Sequence, residues 1–411
     1  MATQAVARPR PSAFRSVRAL LASPMAPFYL VLGSVTVLVG LGLLMVLSAS
    51  AAMAQASGVS PYFYLIRQAR SLAVGLVPAA ILVFVPPDVL RRFGWLAWGI
   101  AVVLLLLVLT PLGVGSGGNV NWLVLGPIQI QPSEFAKLAL VVWCGTIFHN
   151  KRGRLHEVLQ LAFPFVPFGG LVLVLVLAGR DLGTGIILGL ILVLILWFVG
   201  TSWKILLPSF TLAVVTMVLL VHGSPNRMSR IAIFLDPSSD ADLSSQPIAA
   251  LYALASGGWW GAGLGAGKQK WGGLKDGAHT DFIFAVLGEE LGLFGVLLVI
   301  GLFALLAWAG LETALRSDKM FNRIVAAGLT GWFVVQAVIN IFVVMHLLPV
   351  LGVPLPFMSY GGSALMASLM GVGVLLSIAR DTPAARTYRA SRPSKKSRPR
   401  MTSVMAATKE D

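Results

Sequence analysis

The chain has 411 residues, of which 57% are hydrophobic and only 11% charged, with a formal net charge of +15. A soluble globule carries about 25% charged residues, so this composition excludes one and implies a polytopic membrane protein. The positive excess does not point to nucleic acid, because Lys and Arg fall in two polar tails and in short loops beside apolar runs, the pattern of membrane orientation.

Residues 1–27 hold Arg8, Arg10, Arg15 and Arg18 among several prolines and are expected to form a disordered tail. The uncharged run near 28–50 that follows is too long for a signal peptide, whose apolar region spans about 7–15 residues, and is read as an uncleaved first helix. Further apolar spans are expected near 71–86, 95–114, 133–149, 161–178, 182–199, 203–222, 282–311, 323–347 and 357–379. The fold class is therefore all-α, with about ten transmembrane helices in a domain over 28–380 and a large extracytoplasmic loop, 223–281, between the seventh and eighth. A basic tail, 381–411, containing Lys395, Lys396, Arg398 and Arg400, is expected to be disordered.

If the spans alternate, Arg91 and Arg92, Lys151 to Arg154, Lys204, and Arg316 to Arg323 share one side with both tails. The positive-inside rule makes that side the cytoplasm. The opposite face receives 51–70, 115–132, 223–281 and 348–356. The single cysteine, Cys144, allows no intrachain disulfide, and no internal repeat of the kind common in transporters is apparent.

Four outer stretches carry the unusual residues. In 119–138, NVNWLVLGPIQIQPSEFAKL, Glu134 and Lys137 lie three apart on one helical face, either as a self-paired couple or as a cation for a phosphorylated lipid headgroup with Glu134 holding it. Arg180 and Asp181 sit in a connection so short that both lie near the interface, pairing with each other or serving the site. Residues 255–273, ASGGWWGAGLGAGKQKWGG, fail as a Walker loop because Lys268 is followed by Gln269. Their free backbone N–H groups beside Lys268 and Lys270 suit a pyrophosphate, and the tryptophans suit a membrane interface. In 347–365 three prolines forbid a regular helix, and irregular backbone at membrane depth is tolerated only against protein or a wet cavity.

Asp281 begins the eighth span at headgroup level, and Glu289 and Glu290 follow two turns in. A charge facing lipid there costs about 2.5–3.5 kcal/mol or more, so both glutamates must face protein, water or a cation.

QPSEFAKL, DLGTG, FLDP, SGGWWGAGLGAGKQK, AHTDFIFAVLGEELG and PLPFMSYGGSAL occur in the order seen in the SEDS family of cell-wall polymerases, which this chain resembles over about 28–380. It looks more like the division-type, FtsW-like members than the elongation-type, RodA-like ones. The resemblance implies a peptidoglycan glycosyltransferase that polymerises lipid II into a nascent glycan strand outside the cytoplasmic membrane. It implies partnership with a class B penicillin-binding protein and other division proteins at the septum.

Carried over by motif, Asp281 matches the family's essential aspartate and Lys137 the lysine of its QPSE helix. Glu134, Asp181, Arg230, Lys268 and Ser359 become candidates for substrate binding. The chain departs from the family at Asn121, where Arg is common, at Arg180, where Pro is common, and in LKDGAHTDF for LPEAHTDF, where the glutamate is missing and Asp276 is a candidate substitute. On this reading Asp281 is the general base, and countercharge for the leaving diphosphate comes from Lys137, Arg230 or Lys268, or from a divalent cation (Mg or Mn) held partly by Asp281. The rival classes are a lipid II flippase, which needs a polar path through to the inner face, an elongation-type polymerase, and a non-catalytic scaffold.

Overall fold

The computed structural model describes residues 23–116, 119–126, 128–153, 157–222, 225–236, 241–274 and 277–391. Each of the ten expected spans overlaps helix, the third, 95–114, only as far as Val108, since Gly113 and Val114 begin a strand. In chain order these are α1 (Ala26–Ala56), α2 (Phe63–Phe84), a short α3 (Pro87–Arg92), α4 (Gly94–Val108) and α5 (Pro132–Asn150). Then come α6 (Val158–Pro164), joined by a π turn at Phe165–Gly169 to α7 (Gly170–Ala178), α8 (Leu182–Val199) and α9 (Trp203–His222). After α10 (Pro225–Leu235) and α11 (Ala241–Ser256) follow α12 (Ile283–Arg316), α13 (Met320–Val344), α14 (Gly362–Arg380) and a short α15 (Pro383–Ala390). Among the described residues, α1, α2, α8, α12, α13 and α14 are long and apolar enough to cross a bilayer. The protein is a multi-pass membrane protein.

Why these segments are helical follows from their solvent. In hydrocarbon every backbone N–H and C=O must be satisfied within the segment, and long Leu, Val, Ala and Ile runs do so only as helices. Helix α5 is the centre of the bundle: almost every residue from Pro132 to Phe148 is buried, including Glu134 and Lys137. Small residues set the close approaches. A methyl group at Gly373 of α14 would lie 2.4 Å from the carbonyl oxygen of Ala79 on α2, and one at Gly42 of α1 would lie 2.6 Å from the Met358 backbone.

The basic loops meet at one end. Lys319 pairs with Asp88 at 2.7 Å and with Asp381 at 3.3 Å, Arg386 pairs with Asp318, and Arg316 reaches the carbonyl of Ser23 at 3.3 Å. The four stretches singled out in the sequence lie toward the other end.

Several boundaries differ from expectation. The outer loop 51–70 contracts to a six-residue turn, since α1 runs to Ala56 and α2 starts at Phe63. Within 115–132 the chain forms a three-stranded antiparallel sheet, β1 (Gly113–Ser116), β2 (Asn119–Leu125) and β3 (Ile128–Ile130), with Val114 opposite Trp122 and Leu123 opposite Ile130. The large loop 223–281 contains α10 and α11. The tail expected to be disordered from 381 first forms α15, with Ala385 buried, and only 392–411 lie outside the described residues, as do 1–22 and Asp276.

Candidate active site

The site is organised by an irregular strap, residues 350–355, that runs between α13 and α14. Pro349, Pro354 and Pro356 keep it from becoming helix, so its backbone groups must find partners elsewhere. Nearly every one of its residues meets a motif from a different part of the sequence.

Arg230 Nη1 on α10 donates to the carbonyl of Val350 at 3.2 Å. The carbonyl of Leu351 lies so close to Gly183, in the first turn of α8, that a Cβ there would approach it to 2.4 Å. Gly352, with φ +71, faces Asp281, whose Oδ2 would stand 3.7 Å from any Cβ at that position. Asn340 Nδ2 donates at 2.8 Å both to the Val353 carbonyl and to the Asp281 carbonyl. Gln336 Nε2 donates to the Pro354 carbonyl at 2.9 Å. The Leu355 N–H donates to Ser359 Oγ at 2.8 Å, and that hydroxyl donates onward to the Thr280 carbonyl at 2.7 Å. The segment holding Asp281 is thus pinned from both sides, with the Tyr360 N–H donating to the His279 carbonyl at 2.9 Å as a further tie.

Lys137 stands beneath this strap, 1% exposed. Its ammonium donates to Glu134 Oε1 at 2.8 Å and to Gln336 Oε1 at 2.9 Å, and lies 5.1 Å from the centre of the Trp332 ring. Trp332 Nε1 donates to the same Gln336 oxygen at 2.8 Å. The second Glu134 oxygen is buried with no hydrogen-bond partner among the described residues. Buried this way, the couple fixes the position of Gln336 and, through it, of Pro354.

Asp181 caps α8, accepting from the Thr184 N–H at 3.1 Å, and also takes Gln131 Nε2 at 3.1 Å and Asn121 Nδ2 at 3.4 Å. Two amides and a helix N-terminus satisfy this carboxylate, and β2 is drawn in by the Val120 N–H donating to the Gly179 carbonyl at 2.9 Å. The Asn121 that replaces the more common Arg therefore serves Asp181.

Among the candidates, Asp281 is the least compensated acid. It is partly accessible to solvent, yet burial raises its carboxyl to about 6, with the Arg230 charge opposing that rise. Among the described residues, three hold left-handed backbone without being glycine, Arg180 (φ 62), His346 (φ 55) and Phe357 (φ 66), and all three flank this site. Such strain costs about 1–3 kcal/mol each and is sustained only where the surroundings fix it.

Lys268 lies apart. Its side chain is exposed, while its backbone N–H donates to Glu289 Oε1 at 2.7 Å. The glycine-rich stretch wraps the two glutamates: Glu290 accepts from Lys270 Nζ at 2.7 Å, from Ser48 Oγ at 2.6 Å and from the Gly265 N–H at 3.1 Å. The glutamates face protein, as the cost of a lipid-facing charge requires, and they hold a loop in place.

Among the described residues of this site, Glu134 and Asp181 are buried and Asp281 is the carboxylate a divalent ion could reach. Among the described residues no three His, Cys, Asp or Glu side chains converge as a metal cage. Magnesium commonly binds through one or two carboxylates plus substrate phosphates, so Asp281 is the residue that would hold it, and the ion would supply countercharge to a diphosphate.

Sequence reasoning missed Gln336 and Asn340, which connect the strap to both Lys137 and Asp281. Their signal was present: two side-chain amides four residues apart, on one face of an otherwise apolar span.

Comparison with known proteins follows the same lines. The sequence profile of the FtsW, RodA and SpoVE family, described as "Cell cycle protein", matches residues 29–383. The chain is 37% identical over 369 residues to the probable peptidoglycan glycosyltransferase FtsW of Mycobacterium tuberculosis, covering 89% of this chain and 70% of that protein. It is 36% identical over 348 residues to the stage V sporulation protein E of Bacillus subtilis, covering 84% and 94%. Its fold superposes on a chain from a structure described as "Structural coordination of polymerization and crosslinking by a peptidoglycan synthase complex", with TM-score 0.70, 29% identity and coverage of 85% and 97%. On the rod shape determining protein RodA of Thermus thermophilus the TM-score is 0.64, at 29% identity and coverage of 86% and 96%. This chain belongs to the FtsW, RodA and SpoVE family of cell cycle proteins.

Proposed function

We propose that this protein is a peptidoglycan glycosyltransferase that polymerises lipid II into glycan strands at the outer face of the cytoplasmic membrane, with Asp281 as the general base. The observation that carries the reading is the strap. It brings the side chains of Arg230, Gln336, Asn340 and Ser359 beside one partly accessible carboxyl, Asp281, whose affinity for a proton is raised to about 6.

Forming a β-1,4 bond from an α-linked lipid diphosphate requires inversion at the anomeric carbon. The acceptor 4-hydroxyl attacks from the face opposite the leaving group and must lose its proton. Asp281 takes it. A base titrating near 6 is ionised at neutral pH and still basic enough to accept a proton in the transition state, an effect worth about 10²–10⁴ in rate. Asn340 and Ser359 hold the backbone on which the base is carried, and Lys137 with Glu134 supports the opposite edge of the strap through Gln336.

Membership of a synthase complex in a structural relative supports a class B penicillin-binding protein as the partner that crosslinks the product. The basic end of the bundle supports placing both termini in the cytoplasm. Relatives named FtsW support a role in division at the septum.

The test is direct. Purified full-length protein with its transpeptidase partner, incubated with lipid II and resolved on a gel, is expected to yield a ladder of glycan strands. Movement of lipid II across vesicles without any strands would replace this reading with the flippase one.

A further inference from the structure

A cavity of about 160 Å³ opens between α10, α11 and the strap, and it is lined by Arg230, Gln246 and His346 together with apolar walls that include Ile233, Phe234 and Leu348. We propose that this cavity is the subsite for the diphosphate of the leaving prenyl lipid, with Arg230 and His346 as its two donors. The inference rests on the glycosyltransferase reading above and deepens it, because it selects among the cations that could receive the leaving group.

The selection is made by accessibility and by stereochemistry. Lys137 is 1% exposed and already committed to Glu134 and Gln336, so no phosphate reaches it without dismantling the strap. Lys268 is exposed, but it sits on the glycine-rich loop whose backbone holds Glu289 and is not among the residues that line this cavity. Arg230 is exposed and uses one guanidinium nitrogen on the Val350 carbonyl, which leaves further N–H donors of a planar fork that suits phosphate oxygens. His346 lines the same cavity, its ring held 5.1 Å from that of Phe234, and an imidazole offers an N–H donor in either protonation state.

Inversion places base and leaving group on opposite sides of the reacting carbon. Asp281 lies at Gly352 and Arg230 at Val350, two residues along one strap, and therefore at most about 7 Å apart in backbone anchorage. A sugar seated over the strap has its acceptor side at the base and its diphosphate side at the cavity. Gly352 carries no side chain to occupy that seat. The bond from the anomeric carbon to the diphosphate oxygen breaks as the new glycosidic bond forms. The electron pair leaves on the diphosphate, where two charge-assisted hydrogen bonds receive it. The apolar walls suit the first part of a prenyl chain.

The experiment measures binding of inorganic pyrophosphate and, separately, of farnesyl diphosphate to the full-length protein in detergent, for wild type, Arg230→Gln, His346→Asn and Asp281→Asn. Asn at 346 tolerates the left-handed backbone, so that variant keeps the fold. Both diphosphates are expected to bind wild type, farnesyl diphosphate at least as tightly as pyrophosphate. Each of Arg230→Gln and His346→Asn should weaken binding about tenfold or more, the loss of one charge-assisted hydrogen bond, while Asp281→Asn, measured like the others in buffer free of divalent cations, retains it. Absence of binding to wild type overturns the proposal. So does unchanged affinity in both cavity variants, or binding of free pyrophosphate with exclusion of the farnesyl compound. If diphosphate binding follows this pattern but lipid II yields no strands, the cavity stands and the glycosyltransferase reading fails.

Discussion

The side-chain amide of Asn340 donates to the backbone carbonyl of Asp281 at 2.8 Å and, at the same distance, to that of Val353. One residue of α13 thereby sets the separation between the proposed base and the strap it faces. Replacing Asn340 with Leu removes both bonds and leaves two carbonyls in a buried setting, at about 1–3 kcal/mol. Thermal unfolding should show that loss, and strand synthesis should fall further than the loss of folded protein explains, because the base is no longer held in register.

The proton affinity of Asp281 yields two pH predictions. Polymerisation should rise with pH along a limb centred near 6, and Arg230→Gln should move that limb to higher pH, since removing a positive neighbour disfavours the carboxylate. For stability the sign is opposite. The fold favours the protonated form, so this group's contribution is fully present below its ordinary value of 3.8 and is lost as pH rises through about 6. Asp281→Asn should therefore melt higher than wild type at pH 7 and alike at pH 3.5.

Lys137 and Glu134 are 1% and 2% exposed at the side chain and 2.8 Å apart. Lys137→Met strands a buried carboxylate and should cost about 3–5 kcal/mol. Adding Glu134→Gln removes the stranded charge and should restore much of the stability. If the single and double variants melt together, the pair is not what holds α5 beneath the strap.

Gly292 interrupts α12 with φ +64, and a Cβ there would lie 2.3 Å from the Gly261 nitrogen and 2.6 Å from the Trp259 carbonyl oxygen. The Leu293 N–H donates to the Gly258 carbonyl at 2.9 Å across this break. Gly292→Ala should detach the glycine-rich stretch, at about 1–3 kcal/mol, and expose Trp259 to Trp271 to protease at a rate wild type does not show.

The helical body was legible because membrane spans announce themselves by length and apolarity, and because the basic loops sort to one end. The prolines around Val350 announced irregular backbone in the same way. The Glu134–Lys137 couple was legible from its spacing, but sequence could not supply pairing between distant segments. Glu290 reads as a lone acid until Lys270 and Ser48 are seen to close on it, from twenty residues upstream and from the far end of α1. Lys268 and Lys270 are indistinguishable in a string, yet one is exposed and the other is buried in an ion pair. The sheet at Gly113–Ile130 is not legible in the sequence, where 113 and 114 read as the end of an apolar span and 115–132 as loop, because its strands are short and their alternation is broken by a bulge between Val114 and Gly115.

The central claim is that Asp281 removes the acceptor proton. It is tested most directly by incubating purified Asp281→Asn protein, shown by its melting curve to be folded and by pull-down to retain its transpeptidase partner, with lipid II. The account predicts no glycan strands above the background of a boiled sample. Strands formed at the wild-type rate would contradict it.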